Sequence, residues 1–508
     1  MSAHCDVIVR QKFYLDSVAL MRYSQALVNR PDVIEAAMMM GTPSNVQIMH
    51  NAGLIEADAV QATPADLIIA VRAKNKESVL SALTEAATML DAPTESASAS
   101  TWQPKSMRSA VAANPNANLA LVSVPGAFAV GEARKALRRG LNVMIFSDNV
   151  AIEQEAELKR EAHSLNRIVM GPDCGTAIIN GVPLAFANKV PRGNIAIIGA
   201  SGTGIQEVSC LIAQRGQGIS QAIGVGGRDL HESVGGISTL MALDALERDD
   251  NTAHIVVISK PPAESIASLV LDKLSQSKKS ITVCFLGGEK PALPANCGWA
   301  SNLTDAAVQA LRSQSSASDN GDATKGLFAV TAQVAPHPKQ EHSNGFIRGL
   351  YCGGTLCTES LLICRQANVT LSSNIAMSGV EPGARDNMHL MIDLGADEFT
   401  QGKPHPMIEP TIRDAHIQAA LEDNQVTVLL LDLVIGYGAH ADPATVLVNA
   451  LATGKQRDVK VIASVTGTNA DPQNRASQVA VLEQAGIEVA PSNAAAAFRA
   501  LDIVHGNE

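Results

Sequence analysis

Asn194-Ile195-Ala196-Ile197-Ile198-Gly199-Ala200-Ser201-Gly202-Thr203-Gly204 is an apolar run that stops on glycines and hydroxyl side chains. Four consecutive apolar residues flanked by small ones describe a strand buried on both faces. The Gly-rich exit, followed by Ile205, Val208, Leu211 and Ile212, describes a turn into an amphipathic helix. This strand–glycine–helix unit is the element of an open parallel sheet, so the fold class is α/β.

The same grammar extends outward. Strands are expected at Ile219–Gly224, His254–Ile258 and Ile281–Leu286, each ending in a loop and a helix. Upstream, Asn118–Val124, Asn142–Phe146 and Arg167–Met170 repeat it. Downstream, Phe346–Tyr351, His389–Asp393, Thr427–Val434, Lys460–Val465 and Glu488–Ala490 repeat it again. Residues 1–90 read β-α-β-α-β-α, with strands at Asp6–Arg10, Ile34–Met40 and Asp66–Arg72. The Ser/Ala/Thr-rich stretch 92–101 is expected to be a flexible connection, and the polar stretch 313–344 a linker. The expectation is therefore several doubly wound, mostly parallel, Rossmann- or flavodoxin-like domains: 1–112, 113–191, 192–314 and 345–508.

Composition narrows the function classes. The 508 residues carry 39 Lys+Arg against 50 Asp+Glu, a formal net charge of −11, and only 3% are aromatic. No basic face is indicated, which argues against nucleic-acid binding. No apolar run reaches the roughly 18–20 residues of a membrane span, and the first residues lack a secretory pattern. Eight scattered cysteines without a C-x-x-C pair fit reduced thiols, hence a cytoplasmic protein. The spacing of Cys352, Cys357 and Cys364 matches no common zinc module, so no metal is inferred.

In open parallel sheets, ligands sit at the carboxyl ends of strands. Three such loops suit an anion. In the first, Ser201, Gly202, Thr203 and Gly204 offer close backbone N–H groups and hydroxyls at a helix start, where the dipole favours negative charge. The second is Cys352-Gly353-Gly354-Thr355. The third, Gly226-Gly227-Arg228, adds a cation. The first lacks the P-loop lysine, and a tight turn alone also accounts for its glycines. Cys174 reads as a loop thiol or a nucleophile, and His163 as a surface histidine. The 397–406 loop gathers Lys403 and His405, and the 436–443 loop carries His440 as a possible donor or base.

Residues 117–312 resemble the α subunit of succinyl-CoA synthetase, at Val124-Pro125-Gly126-Ala127-Phe128, Met170-Gly171-Pro172-Asp173-Cys174-Gly175, Ile197–Thr203, Ile223–Asp229 and Leu246–Asp249. The stretches Asp393-Leu394-Gly395 and Asp432–Gly438 resemble the carboxyl domain of its β subunit. Over nearly its full length the chain resembles the FdrA family, most specifically at Gly349–Cys357 and Lys403–Ile408. That family is labelled acyl-CoA synthetase by similarity and includes proteins implicated as subunits of an oxamate carbamoyltransferase in allantoin breakdown. The resemblance implies CoA or ADP/ATP as ligands, though the cofactor stays unassigned.

Departures from the ligase matter. The family's phosphorylated histidine lies in a G-H-A-G-A segment; here the corresponding stretch is Asn296-Cys297-Gly298-Trp299-Ala300. A glutamate that holds that histidine is replaced by Ser259-Lys260-Pro261. Nothing resembles an ATP-grasp domain, and no Gly-rich turn precedes residue 117. The ligase resemblance implies that the 117–312 and 345–508 units face each other, so Ser201–Gly204 and Gly353–Thr355 would cradle a phosphoryl group. Lys260 and Arg228 would neutralise its charge, with His440 a third catalytic candidate. Gly226, Gly227, Lys403 and His405 would contact substrate. The reading is an enzyme acting on a small anionic acyl or carbamoyl phosphate with partner subunits. An ADP-forming acid–CoA ligase and a non-catalytic scaffold subunit are the alternatives.

Overall fold

The computed structural model describes residues 4–13, 15, 17–55, 61–91, 104–313, 345–383, 385, 387–400, 404–453 and 459–506. Lys403, the connection at 92–101 and the linker after Ser313 lie outside the described residues. The chain divides into two units: Met1–Gln103 with Ala396–His405, and Pro104–Gly395 with Pro406–Glu508.

In the first unit the strands β1 (His4–Arg10), β2 (Val33–Met40) and β3 (Leu67–Ala73) form a sheet of order β1-β3-β2. Both neighbours of β3 run antiparallel to it, so this unit departs from the mostly parallel pattern expected. The crossover helix Ser17–Val28 separates β1 from β2, and β3 fills the gap between them, a split β-α-β arrangement. Leu67 to Val71 of this central strand are all apolar, because both faces of β3 are covered there. Leu20, Leu27, Val79 and Leu83 pack on one side, Met49, Leu54 and Ile55 on the other.

Among the described residues the second unit holds three sheets. The strands β4 (Leu119–Val122), β5 (Asn142–Ile145) and β6 (Val169–Met170) are parallel, in the order β4-β5-β6. Next come β7 (Thr176–Ile179), β8 (Val182–Ala185), β9 (Arg192–Gly199), β10 (Ile219–Gly224), β11 (His254–Ser259), β12 (Ser280–Phe285) and β13 (Cys297–Trp299). They form a seven-stranded sheet, β13-β12-β11-β9-β10-β7-β8. The β7–β8 hairpin joins it antiparallel to β10, although residues 176–185 were expected with the preceding domain. A two-residue Asn180-Gly181 turn, both at positive φ, makes that hairpin.

The last sheet contains β14 (Phe346–Tyr351), β15 (Leu371–Ser373), β16 (Glu381–Pro382), β17 (His389–Asp393), β18 (Val426–Val434), β19 (Lys460–Thr466) and β20 (Glu488–Ala490). Its order is β16-β15-β17-β14-β18-β19-β20, all parallel. Within the two large sheets, β10-β9-β11-β12-β13 and β17-β14-β18-β19-β20 follow the same flavodoxin-like order. In each, the switch point lies beside the first strand, β9 or β14.

Four helices pack between these sheets: Gly202–Gln214, Leu303–Arg312, Gly354–Gln366 and Asn493–Val504. Their buried residues form one apolar cluster with both sheets, from Ile197 and Ile205 through Leu303 and Leu356 to Leu430 and Leu501. Ala306, Ala307, Ala310, Ala494, Ala496, Ala497 and Ala500 are all buried there. Small side chains let these helices approach closely, which is where the aromatic-poor composition goes.

Candidate functional site

Ser201 is extended at φ −146° and caps the Gly202–Gln214 helix, its Oγ accepting from the Gly204 N–H at 3.0 Å. A serine cap satisfies one of the free N–H groups of the first turn. The first turn is closely packed at its glycines: a Cβ on Gly202 would lie 3.1 Å from Thr176 Oγ1, and one on Gly204 3.1 Å from Ser201 Oγ. Gly199 and Ala200 are fixed by the sheet, with the Ala200 N–H donating to Ile258 O of β11 at 2.9 Å.

The Gly354–Gln366 helix starts differently. Its cap is Gly353, with no capping side chain of its own. Instead Asp432, fully buried at the end of β18, accepts the N–H groups of Cys352 and Gly353, each at 2.8 Å. Arg413, buried beside it, donates to Asp432 O at 2.7 Å and lies 3.4 Å from Oδ1. Burial raises the Asp432 carboxyl, while Arg413 and the two N–H donors oppose the rise. A Cβ on Gly354 would come 2.5 Å from Asp393 Oδ2, so glycine is the residue that fits under that carboxylate.

These two helix starts meet. Ser201 Oγ and Thr355 Oγ1 are hydrogen-bonded to each other. A Cβ on Gly353 would lie 3.1 Å from the Thr203 methyl. Ser201, Thr203, Gly353 and Thr355 therefore belong to one place, with Gly202, Gly204 and Gly354 in the same two first turns. Two helix amino-termini converging on one point favour an anion between them.

Lys260 stands at the carboxyl end of β11, two residues beyond Ile258, the register partner of Gly199. It is exposed at that sheet end. His440 follows β18, which has the corresponding position in the other sheet. Its Nδ1 accepts the Asp442 N–H at 3.0 Å and its backbone N–H donates to Met407 O, so the neutral ring carries its hydrogen on Nε2. The 436–440 loop packs on 186–188, with the Tyr437 N–H donating to Ala187 O at 2.9 Å. His405 falls in the first unit.

Arg228 is otherwise engaged. Its guanidinium donates to Val150 O at 2.8 Å and pairs with Glu155 at 2.9 Å. Gly226, at φ +87°, presses on Pro172 O, which a Cβ would meet at 2.4 Å; Gly227 lies near Ala200 O and Asp173. This loop is anchored by Lys159, a residue the sequence reading passed over. Its fully buried ammonium donates to Asp229 at 2.7 Å, Glu155 at 2.9 Å and Val225 O at 3.0 Å.

Thiol chemistry is disfavoured at Cys174, Cys352 and Cys357. Burial pushes the Cys174 thiol up to about 12, and Cys352 and Cys357 also rise well above the usual thiol range. Asn296-Cys297-Gly298-Trp299, where the resemblance would seek a histidine, contributes edge strand β13, and Asn296 seals three carbonyls of the Leu274–Lys279 segment.

The missed residues had a signal. Gly202-Thr203-x-x-x-Glu207 and Gly354-Thr355-x-x-x-Glu359 are the same spacing on the two converging helices. Both glutamates are buried at the domain interface.

A family model described as CoA binding domain matches residues 191–287, and one described as CoA-ligase matches 350–502. The first lies on the seven-stranded sheet that begins the candidate site, one sheet further along than the 113–191 stretch expected to be CoA-binding-like. A third, described as AllF, heavy metal-associated domain, matches 1–106. The residues there do not fit a heavy metal: Cys5 is the one cysteine of that stretch, and its Sγ is 3.0 Å from Leu54 O. Among the described residues no group of three His, Cys, Asp or Glu could hold an ion.

The α subunit 1 of a succinate–CoA ligase (ADP-forming) of Archaeoglobus fulgidus is 23% identical over 35% of this chain and 60% of its own. A solved dinucleotide-forming acetyl-coenzyme A synthetase 1 of Ca. Korarchaeum cryptofilum shares 19% identity over 77% of this chain and 83% of its own, at a TM-score of 0.32. The uncharacterized protein YahF of Escherichia coli is 38% identical over 96% of each chain. With that relative along its length and the CoA-ligase and CoA-binding matches on its two large sheets, the chain belongs to the FdrA family of acid–CoA-ligase-like proteins.

Proposed function

We propose that this protein acts on an acyl or carbamoyl phosphate, as a subunit of an oxamate carbamoyltransferase with partner proteins. The observation that carries the reading is the meeting of two helix amino-termini from two domains at Ser201 and Thr355. Backbone N–H groups of both first turns hold the phosphate end, with the Ser201, Thr203 and Thr355 hydroxyls, and exposed Lys260 adds a positive charge. In carbamoyl transfer, a nucleophilic nitrogen attacks the carbamoyl carbon, the C–O bond to phosphorus breaks, and inorganic phosphate leaves with the bonding pair. Holding that leaving group is electrostatic and positional work, needing no protein nucleophile. The nitrogen's proton passes to the departing phosphate, and His440, whose neutral ring carries its proton on Nε2, is the candidate hydrogen-bond donor to the substrate.

A second reading, an ADP-forming acid–CoA ligase, is supported by the CoA-ligase and CoA-binding matches. It requires a phosphate carrier other than a histidine at Asn296–Trp299. Thermal unfolding with carbamoyl phosphate and with CoA separates the two, because a ligand of the folded state alone raises stability by mass action. Stabilisation by carbamoyl phosphate, lost in Thr203→Val, supports the first. Stabilisation by CoA alone replaces it with the second.

A further inference from the structure

The two converging helices are tied together one and a half turns below their starts. Glu207 Oε1 accepts the backbone N–H of Asn493, the first residue of the Asn493–Val504 helix, at 3.1 Å, and Thr466 Oγ1 donates to its other oxygen. Glu359 Oε1 accepts the backbone N–H of Leu303, the first residue of the Leu303–Arg312 helix, at 2.7 Å. Each glutamate thus caps the last helix of the other domain. Asn493 joins the two: its Nδ2 donates to Glu359 Oε2 at 2.7 Å. The capped helix starts also touch, Thr304 Oγ1 to Ser492 Oγ at 2.9 Å.

We propose that Glu359 is a positioning and specificity-determining residue: its charge state sets how strongly the Ser201–Thr355 cradle holds a dianionic phosphoryl group. The inference rests on the reading of that cradle as an anion site. Helix side chains lean toward the amino-terminus, so the Glu359 carboxylate points back along the helix that opens on Thr355. Ionised, it opposes the helix dipole there; protonated, it does not. The groups facing it are Glu207 on the facing helix and Cys284 of β12, neither of them a cation, while the Arg475 guanidinium acts on Glu207. Burial, with Glu207 adding to it, lifts the Glu359 carboxyl to about 7, so the switch falls near neutrality. A small cavity of about 20 Å³ between Glu359, Asn302, Leu362 and Phe498 is large enough for a single water at the carboxyl.

The test uses sulfate, a dianion across the whole range, with the full-length protein and titration calorimetry. Wild-type affinity should fall by up to about tenfold between about pH 6 and about pH 8, the most that one group titrating near 7 can impose over that interval. In Glu359→Gln the profile should be flat, and at the higher pH the variant should bind more tightly than wild type, which loss of a structural contact would not produce. If Glu359→Gln fails to fold, Glu207→Gln removes a neighbouring charge and should move the wild-type transition to lower pH. Sulfate binding with a flat wild-type profile, or a Glu207→Gln profile identical to wild type, overturns the inference and spares the cradle. No sulfate binding at any pH overturns both.

Discussion

Ser201 and Thr355, 154 residues apart in the chain, share a hydrogen bond through their side-chain hydroxyls. Each hydroxyl belongs to the start of a helix, and each helix begins at the switch point of its own parallel sheet. Five-strand runs of the same order in the two sheets therefore present equivalent ends to each other, with Ser201 also serving as a helix cap.

Ser201→Ala removes both the cap and the contact. It should lower stability by about 1 kcal/mol, the usual value of such a cap. Thr355→Ala, which caps nothing, should cost less than that. In a double-mutant cycle on carbamoyl phosphate binding, the two substitutions should be non-additive because they remove one shared interaction. Additive losses in affinity would mean that the hydroxyls act separately.

Asp432 holds the second helix start from behind. Asp432→Ala leaves Arg413 buried without its carboxylate and strands the N–H groups of Cys352 and Gly353. A loss of roughly 3–5 kcal/mol is expected, as for other broken buried pairs. Chemical denaturation measures it directly; a loss under about 1 kcal/mol would show that water reaches the site.

Much of this was legible in the sequence. Continuous apolar strands with glycine exits, as at Asn194–Gly204, state a parallel sheet and place its ligand end, because periodicity and turn chemistry are local. The Ser201 and Gly353 loops were visible for the same reason. What sequence could not supply were partners set by long-range packing. Arg228 reads as a cation beside glycines, yet Glu155 and Val150 O take it. Asp432 reads as an end-of-strand acid, and only the fold brings it to Cys352 and Gly353. The antiparallel placing of β3 was likewise hidden, since strands separated by helices look alike whichever way they pair.

Lys159 is the strongest case of a residue that only the fold makes important. Its ammonium balances Asp229 and Glu155, and Asp229 in turn accepts the N–H groups of Ser238 and Thr239 at the next helix start. Lys159→Met should destabilise by roughly 3–5 kcal/mol by leaving two buried carboxylates. Chemical denaturation of wild type and variant checks the size.

The last prediction concerns His254, whose Nδ1 and Nε2 are each 2.9 Å from a hydroxyl of β12, Ser280 and Thr282. Burial pushes its imidazole down to about 4, against an ordinary value of 6.5. The unfolded chain therefore binds a proton that the folded one refuses. The stabilisation from keeping this ring neutral is complete above about pH 6.5 and is lost as pH falls toward 4. Glu359, lifted to about 7, works in the opposite direction over an overlapping window, because its folded form holds a proton that the unfolded one releases. Total stability is thus a poor reporter of either group, and the difference between variants is the useful quantity. The stability advantage of wild type over His254→Gln should shrink by about 2 kcal/mol between about pH 7 and about pH 5. An advantage that stays constant over that interval would mean that His254 is protonated as easily folded as unfolded.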